Sequence, residues 1–170
     1  PPNKKIKFGQ IRDINTYTIG SLLNNTGASV NQVGIIEDTY QSLKDTVKKH
    51  LTADLILVSG GSSAGIKDMT VDVINELGKP GVLIHGLKVK PGKPTILGQI
   101  NKTPIMGLPG HPGSAWIISN LFVKPLVKLL SGEYNIENNI EKGNIKVNAI
   151  LDRNISSDKG RKEIIPVKEI

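Results

Sequence analysis

Asp54-Leu-Ile-Leu-Val-Ser-Gly-Gly-Ser-Ser-Ala-Gly-Ile-Lys-Asp68 is the stretch from which the rest of the chain can be read. Asp54 to Val58 is a short run of branched apolar residues with glycines after it, the pattern of a strand buried on both faces of a parallel sheet. Ser59, Gly60, Gly61, Ser62, Ser63, Ala64 and Gly65 turn the chain at the strand's carboxyl end. Asp68 then precedes Met69, Thr70, Val73, Ile74 and Leu77, whose spacing is helical, so Asp68 is a candidate N-cap. Strand, glycine-rich turn and helix start together suit an anion, because glycine lets the backbone come close and helix-start N–H groups point at negative charge. In open α/β sheets ligands sit beyond the carboxyl ends of the strands. An ordinary βα connection that binds nothing has the same form. The stretch fits neither G-x-x-x-x-G-K-[ST] nor G-x-G-x-x-G.

The chain has 170 residues, enough for one domain of ordinary size and part of a second. Apolar residues make up 38% but aromatics only 4%, so the core must be built of Ile, Leu and Val. Cysteine is absent, which excludes disulfides, thiolate catalysis and thiolate metal sites and fits a reducing, cytoplasmic setting. No apolar run is long enough for a membrane helix, and the opening lysines lead into no signal-peptide core. The net charge is +7, but the lysines are scattered and no helix carries a basic stripe. That charge suits a small anionic ligand, and no nucleic-acid partner is expected.

Outward from the central stretch, the pattern alternates. Helices are expected near 14–26, 38–50, 69–77 and 113–130, and strands at 28–36, 54–59, 81–87, 95–100 and 103–108. Asp13 or Asn15 can cap the first helix and Gly27 stop it. Leu43, Val47 and Leu51 mark the buried face of the second. Asn101-Lys102 reads as a hairpin turn, and Pro125 should kink the last helix. His50 should be exposed, and His85 and Trp116 packed. The fold class is therefore α/β, three-layer α/β/α with a mainly parallel sheet whose central strand is 54–59. Residues 1–132 form this domain, 133–142 a linker, and 143–170 alternating strands of an all-β module too short to stand alone.

Four loops should meet at one end of the sheet. They carry Asp38, then Ser59 to Asp68, then Lys90-Pro91-Gly92-Lys93-Pro94, then Pro109-Gly110-His111-Pro112-Gly113-Ser114. Two lysines on a proline-locked turn suit phosphate or another tetrahedral oxyanion. Ser62, Ser63 and Ser114 add hydroxyl donors, and the glycines add backbone donors. Asp38 and Asp68 are hard ligands for a Mg²⁺ that bridges a phosphate, and each also suits a helix cap. His111 is a loop histidine, and no histidine pair has metal-ligand spacing.

SGGSSAGIKD, KPGKP and GLPGHPGSA, in this order, resemble the molybdopterin-binding domain of MoeA-type molybdopterin molybdenumtransferases, the family that includes the gephyrin E domain. Gly9-Gln10-Ile11-Arg12-Asp13-x-Asn15 and Gly34-Ile35-Ile36-x-Asp38 extend the resemblance, which covers about residues 9–132. The tail resembles the start of the family's C-terminal β-barrel. The resemblance implies insertion of molybdenum from molybdate into adenylylated molybdopterin, with release of AMP and with Mg²⁺, in a homodimer. It implies that Asp38 and Asp68 handle the metal or the pyrophosphate linkage. Gly60, Gly61 and Ser63 would hold the nucleotide-pterin, and Lys90, Lys93 and Ser114 the oxyanion. Two features depart from the family: His111 stands where Asn is usual, and the strand ending in Thr-Gly-Asp-Glu is absent from the sequence, which would leave a sheet edge unpaired. Two alternatives remain. One is a CinA-type enzyme acting on a nucleotide; the other is a dimerising scaffold module of gephyrin type.

Overall fold

The structure, a computed structural model, describes residues 5–60, 67–133, 147–157 and 159–168. Helix α1 runs Asn15–Asn24, α2 Tyr40–Lys49 and α3 Lys67–Leu77. Strands are β1 Ile56–Ser59, β2 Pro80–His85, β3 Val89–Lys90, β4 Ile96–Ile100 and β5 Thr103–Leu108. Helix α4 (Pro112–Ile118) passes through a π-helical turn, Ser119–Val123, into α5 (Lys124–Leu130), and β6 is Lys162–Glu163. Pro125 has no N–H to give the preceding turn, and the widened turn lies immediately before it.

The main sheet has the order β1-β5-β4-β2, with β1·β5 parallel and β5·β4 and β4·β2 antiparallel, so it is mixed. Alternate residues of its strands feed two cores. Met106 and Leu108 of β5 meet Ile19 and Leu23 of α1 and Ala115 and Ile118 of α4. Ile105 of β5, with Ile96 and Ile100 of β4, meets Leu43 and Val47 of α2 and Val73 and Ile74 of α3. Helices thus cover both faces, as the period-2 and period-3.6 patterns require. Each fully buried isoleucine here contributes about 1.5–3 kcal/mol of burial energy. The β4–β5 hairpin closes on Asn101-Lys102, where Asn101 adopts φ 56°. Among the described residues no helix is long and apolar enough to cross a membrane.

Several expectations need correction. Strand 54–59 is not central: among the described residues β1 pairs with β5 alone and forms a sheet edge. Residues 28–36 are not a strand; they are largely exposed and join no ladder, with Gly34 at φ +88°. Ala28 and Val30 pack on the α1 side and Ile36 on the α2 side, so the apolar positions that imitate a strand rest against helices. Asp68 lies inside the first turn of α3 rather than ahead of it. Trp116 is 50% exposed, because α4 buries Ala115, Ile117 and Ile118 instead. His85 is exposed at the outer end of β2, which forms the opposite sheet edge, and His50 is half-buried with Nδ1 2.8 Å from the Thr46 carbonyl. In the described part of the tail only Lys162–Glu163 is strand, pairing in parallel with β3. Most of the proposed linker lies outside the described residues.

Candidate functional site

A cavity of about 920 Å³ opens beside β1. Ile56, Leu57, Val58 and Ser59 all line it. Consecutive strand residues point to opposite faces, so the cavity must run along the open edge of the strand rather than over one face. Its other walls come from the start of α1, from 30–39, from α2 and from the start of α3, and Leu108, Gly110 and Pro112 close one end.

The carboxyl end of β1 is where backbone and polar groups gather. Gly60 follows Ser59 with φ +99°, a conformation a residue with a Cβ adopts at a cost. Asn15 ties this corner together: its Nδ2 donates to Ser59 Oγ at 2.6 Å and to the Gly110 carbonyl at 3.0 Å. Asp38 lines the same cavity and is exposed. The cap of α2 is not Asp38 but Thr39, whose side chain accepts the Ser42 N–H at 3.2 Å. The Asp38 carboxylate is therefore not taken up by capping.

Of the residues singled out by sequence, the cavity brings together Asp38, Ser59, Gly60, Gly110 and Pro112. Pro109, His111 and Ser114 sit at the start of α4 without lining it. His111 is exposed at the N-cap position and makes no side-chain cap bond. Gly61, Ser62, Ser63 and Gly65 lie outside the described residues, and only the backbone of Asp68 is described. In the sequence Asn15 stands out only as one of two possible caps and as the last residue of the Gly9–Asn15 motif, with no site role attached. Its role needs the far ends of two other elements, which local pattern does not reveal.

The lysine turn belongs to a neighbouring surface. Between Pro91 and Pro94, Gly92 packs the turn against α4: it is buried at φ +119°, and a Cβ there would collide with Ile118. The Gly92 carbonyl accepts the Thr95 N–H at 3.2 Å and the Thr95 hydroxyl at 2.7 Å, which closes the turn. Lys90 Nζ lies 3.1 Å from Glu163 Oε1, and Lys93 is exposed. Among the described residues no group of three or more His, Asp or Glu could hold a metal. Mg²⁺ at a phosphate needs only one or two carboxylates, with phosphate and water oxygens completing its shell, and the exposed Asp38 can supply one.

An α/β domain with helices on both sheet faces, and with the Ser59 and Gly110 loops gathered at the carboxyl end of a parallel strand pair, defines a small-molecule-binding class. Residues 3–129 match the model of the probable molybdopterin binding domain, and the chain belongs to that family. It is 32% identical over 161 residues to a molybdopterin biosynthesis protein of Methanocaldococcus jannaschii, covering 94% of this chain and 36% of that one. It is 34% identical over 131 residues to the molybdopterin molybdenumtransferase of Haemophilus influenzae, covering 76% of this chain and 32% of the relative. Among solved structures, a molybdopterin biosynthesis MoeA protein of Pyrococcus horikoshii is similar at TM-score 0.69 and 38% identity, over 78% of this chain and 32% of that chain. This chain thus spans about a third of the length of each of these relatives.

Proposed function

We propose that this chain is the molybdopterin-binding part of an enzyme of molybdenum cofactor biosynthesis, one that inserts molybdenum from molybdate into adenylylated molybdopterin and releases AMP. The observation that carries the reading is the meeting of Ser59, Gly60 and Gly110 at one end of a cavity of about 920 Å³, in a chain of the molybdopterin-binding family. The name of the Haemophilus influenzae relative, a molybdenumtransferase, supports the reaction class.

In this reading Gly60, Gly61 and Gly65 let the backbone approach the nucleotide-pterin, with Ser59, Ser62 and Ser63 as hydroxyl donors. Gly110 and Pro112 form the facing wall, and Pro109 and His111 belong to the loop that carries them. Lys90 and Lys93, on the turn shaped by Pro91, Gly92 and Pro94, bind the molybdate oxyanion together with Ser114. Asp38 and Asp68 would hold a Mg²⁺, which would supply positive charge to offset that of the pyrophosphate linkage. We also expect a cytoplasmic homodimer, which sedimentation of the intact protein tests.

The deciding experiment titrates the intact protein with adenylylated molybdopterin and follows AMP. AMP released only when molybdate is present supports the reading. Release without molybdate, or hydrolysis of a simple nucleotide instead, refutes it in favour of CinA-type chemistry.

A further inference from the structure

Asn15 opens α1 and is 7% exposed. Its two hydrogen-bond partners, Ser59 and Gly110, lie 44 and 95 residues away in sequence. Local capping does not require it: Asp13 Oδ1 already accepts the Thr16 N–H at 3.1 Å. The Gly110 carbonyl can only accept, which fixes the amide with Nδ2 towards that carbonyl. Oδ1 is then left buried with no donor among the described residues. A buried unmet acceptor opposes folding, and an apolar residue of similar size would avoid the loss. An amide retained here is explained by what its Nδ2 holds together.

We propose that Asn15 is a positioning residue that fixes the Ser59 loop and the Gly110 loop at a set separation at one end of the cavity. This inference rests on reading those two loops as the ligand loops. The hydrogen bonds place Asn15 on three elements at once: the start of α1, the end of β1 and the connection from β5 to α4. Losing it frees both loops together, which loss of an ordinary cap would not do.

Asn15→Asp in the full chain keeps the shape but changes the chemistry. The ionised carboxylate cannot donate to the Gly110 carbonyl, whereas the protonated form can donate once. Burial favours the protonated form, as do Glu37 and Asp38 across the cavity and neighbouring Asp13; Arg12, His50 and His111, when charged, oppose it. Two quantities are measured against wild type at pH 8 and pH 5. One is hydrogen exchange of the Ser59, Gly60, Gly110, His111 and Gly113 amides without ligand; the other is the dissociation constant for adenylylated molybdopterin.

At pH 8 we expect exchange at both stretches to quicken together and binding to weaken, each by about tenfold. At pH 5 the gap to wild type should shrink to roughly threefold. Exchange that rises in α1 alone, or an equal deficit at both pH values, overturns the proposal. Asn15→Ala should loosen both stretches without recovery at pH 5; recovery there also overturns it, and this variant decides the matter if Asn15→Asp does not fold. Failure of wild type to bind the dinucleotide would count against the proposed function, while the exchange measurement would still decide the role of Asn15.

Discussion

Lys90 Nζ stands 3.1 Å from Glu163 Oε1, and the ladder between β3 and β6 sets the two residues opposite each other. The Glu163 side chain is 15% exposed and that of Lys90 45%, so the pair is only partly screened by water. A lysine proposed to bind an oxyanion is thus already engaged by a carboxylate from the far end of the chain. Any incoming anion must compete with it. Glu163→Gln should therefore strengthen molybdate binding by roughly threefold to tenfold, and more at low salt than at physiological salt. Calorimetric titration of the intact protein at the two salt concentrations checks this, and equal affinity for both proteins at low salt would contradict it.

Lys93 is exposed, and its charge is available to a ligand with little reorganisation. Lys93→Ala should weaken molybdate binding by roughly tenfold to a hundredfold, the worth of one charge-assisted contact. The melting temperature should stay within about a degree of wild type, since an exposed lysine contributes little to folding. A collapse in melting temperature, or unchanged molybdate dependence of AMP release, would remove Lys93 from the site.

Glu76 of α3 accepts from both Lys44 and Tyr40 of α2, clamping two helices on one sheet face. The hydrogen bond to Glu76 is the main reason the Tyr40 hydroxyl is pushed up to about 12 from its ordinary 10.0. The Lys44 hydrogen bond, then that of Tyr40, holds Glu76 below its ordinary range. The raised Tyr40 value means its contribution is whole below pH 10.0 and is lost as pH climbs towards about 12. The lowered Glu76 value means its contribution is whole above the ordinary glutamate value of 4.5 and is lost as pH falls through the lower folded value. Spectrophotometric titration should show a late tyrosine component that Tyr40→Phe removes and Glu76→Gln moves to lower pH. Because the Tyr40–Glu76 hydrogen bond is exposed to water and Tyr40→Phe keeps the packed ring, either change should lower the melting temperature by only about a degree or two.

Gly92 and Ile118 should be energetically coupled. Gly92→Ala adds a Cβ where Ile118 already sits, at φ +119°, and should destabilise by about 1–3 kcal/mol. Ile118→Ala removes a fully buried side chain and should cost about 2–5 kcal/mol. The double variant should be more stable than the sum of the two losses, because the space vacated by Ile118 receives the new methyl. Denaturant unfolding of all four proteins measures the coupling; simple additivity would mean the turn does not bear on α4.

Much of this was legible in the sequence because it is local. Leu43 and Val47 recur at helical spacing and are buried; the hairpin turns at Asn101-Lys102; Pro125 interrupts its helix. The motif residues Ser59, Gly60 and Gly110 do meet. What was not legible depends on partners chosen at long range. Asp54 to Val58 reads as a core strand by composition, yet whether a strand has one neighbour or two is not encoded in its own residues. The apolar residues of 28–36 announce burial but not the ladder, and here the burial is against helices. Thr39 rather than Asp38 caps α2, a difference of one residue that changes what Asp38 is free to bind. The bridging role of Asn15, already a motif residue, needs residues 44 and 95 positions away to come within hydrogen-bond reach of it.

The strand order β1-β5-β4-β2 also carries an order in time. β2, β4 and β5 follow one another over residues 80–108, and β4 and β5 need only a two-residue turn to meet. β1 must find β5 across α3 and the whole of that meander, with Ile56 opposite Ile105. Closing the longer loop costs more chain entropy before any contact rewards it, so the meander should form ahead of the β1 pairing on the way to the native state. Kinetically, Ile100→Val in the hairpin should mainly slow folding, whereas Leu57→Ala in β1 should mainly speed unfolding. The cavity wall along β1 would then be the last part of the sheet to assemble and the first to come apart. Stopped-flow chevrons of the two variants give the answer, and φ-values ranked the other way would reverse the sequence of events.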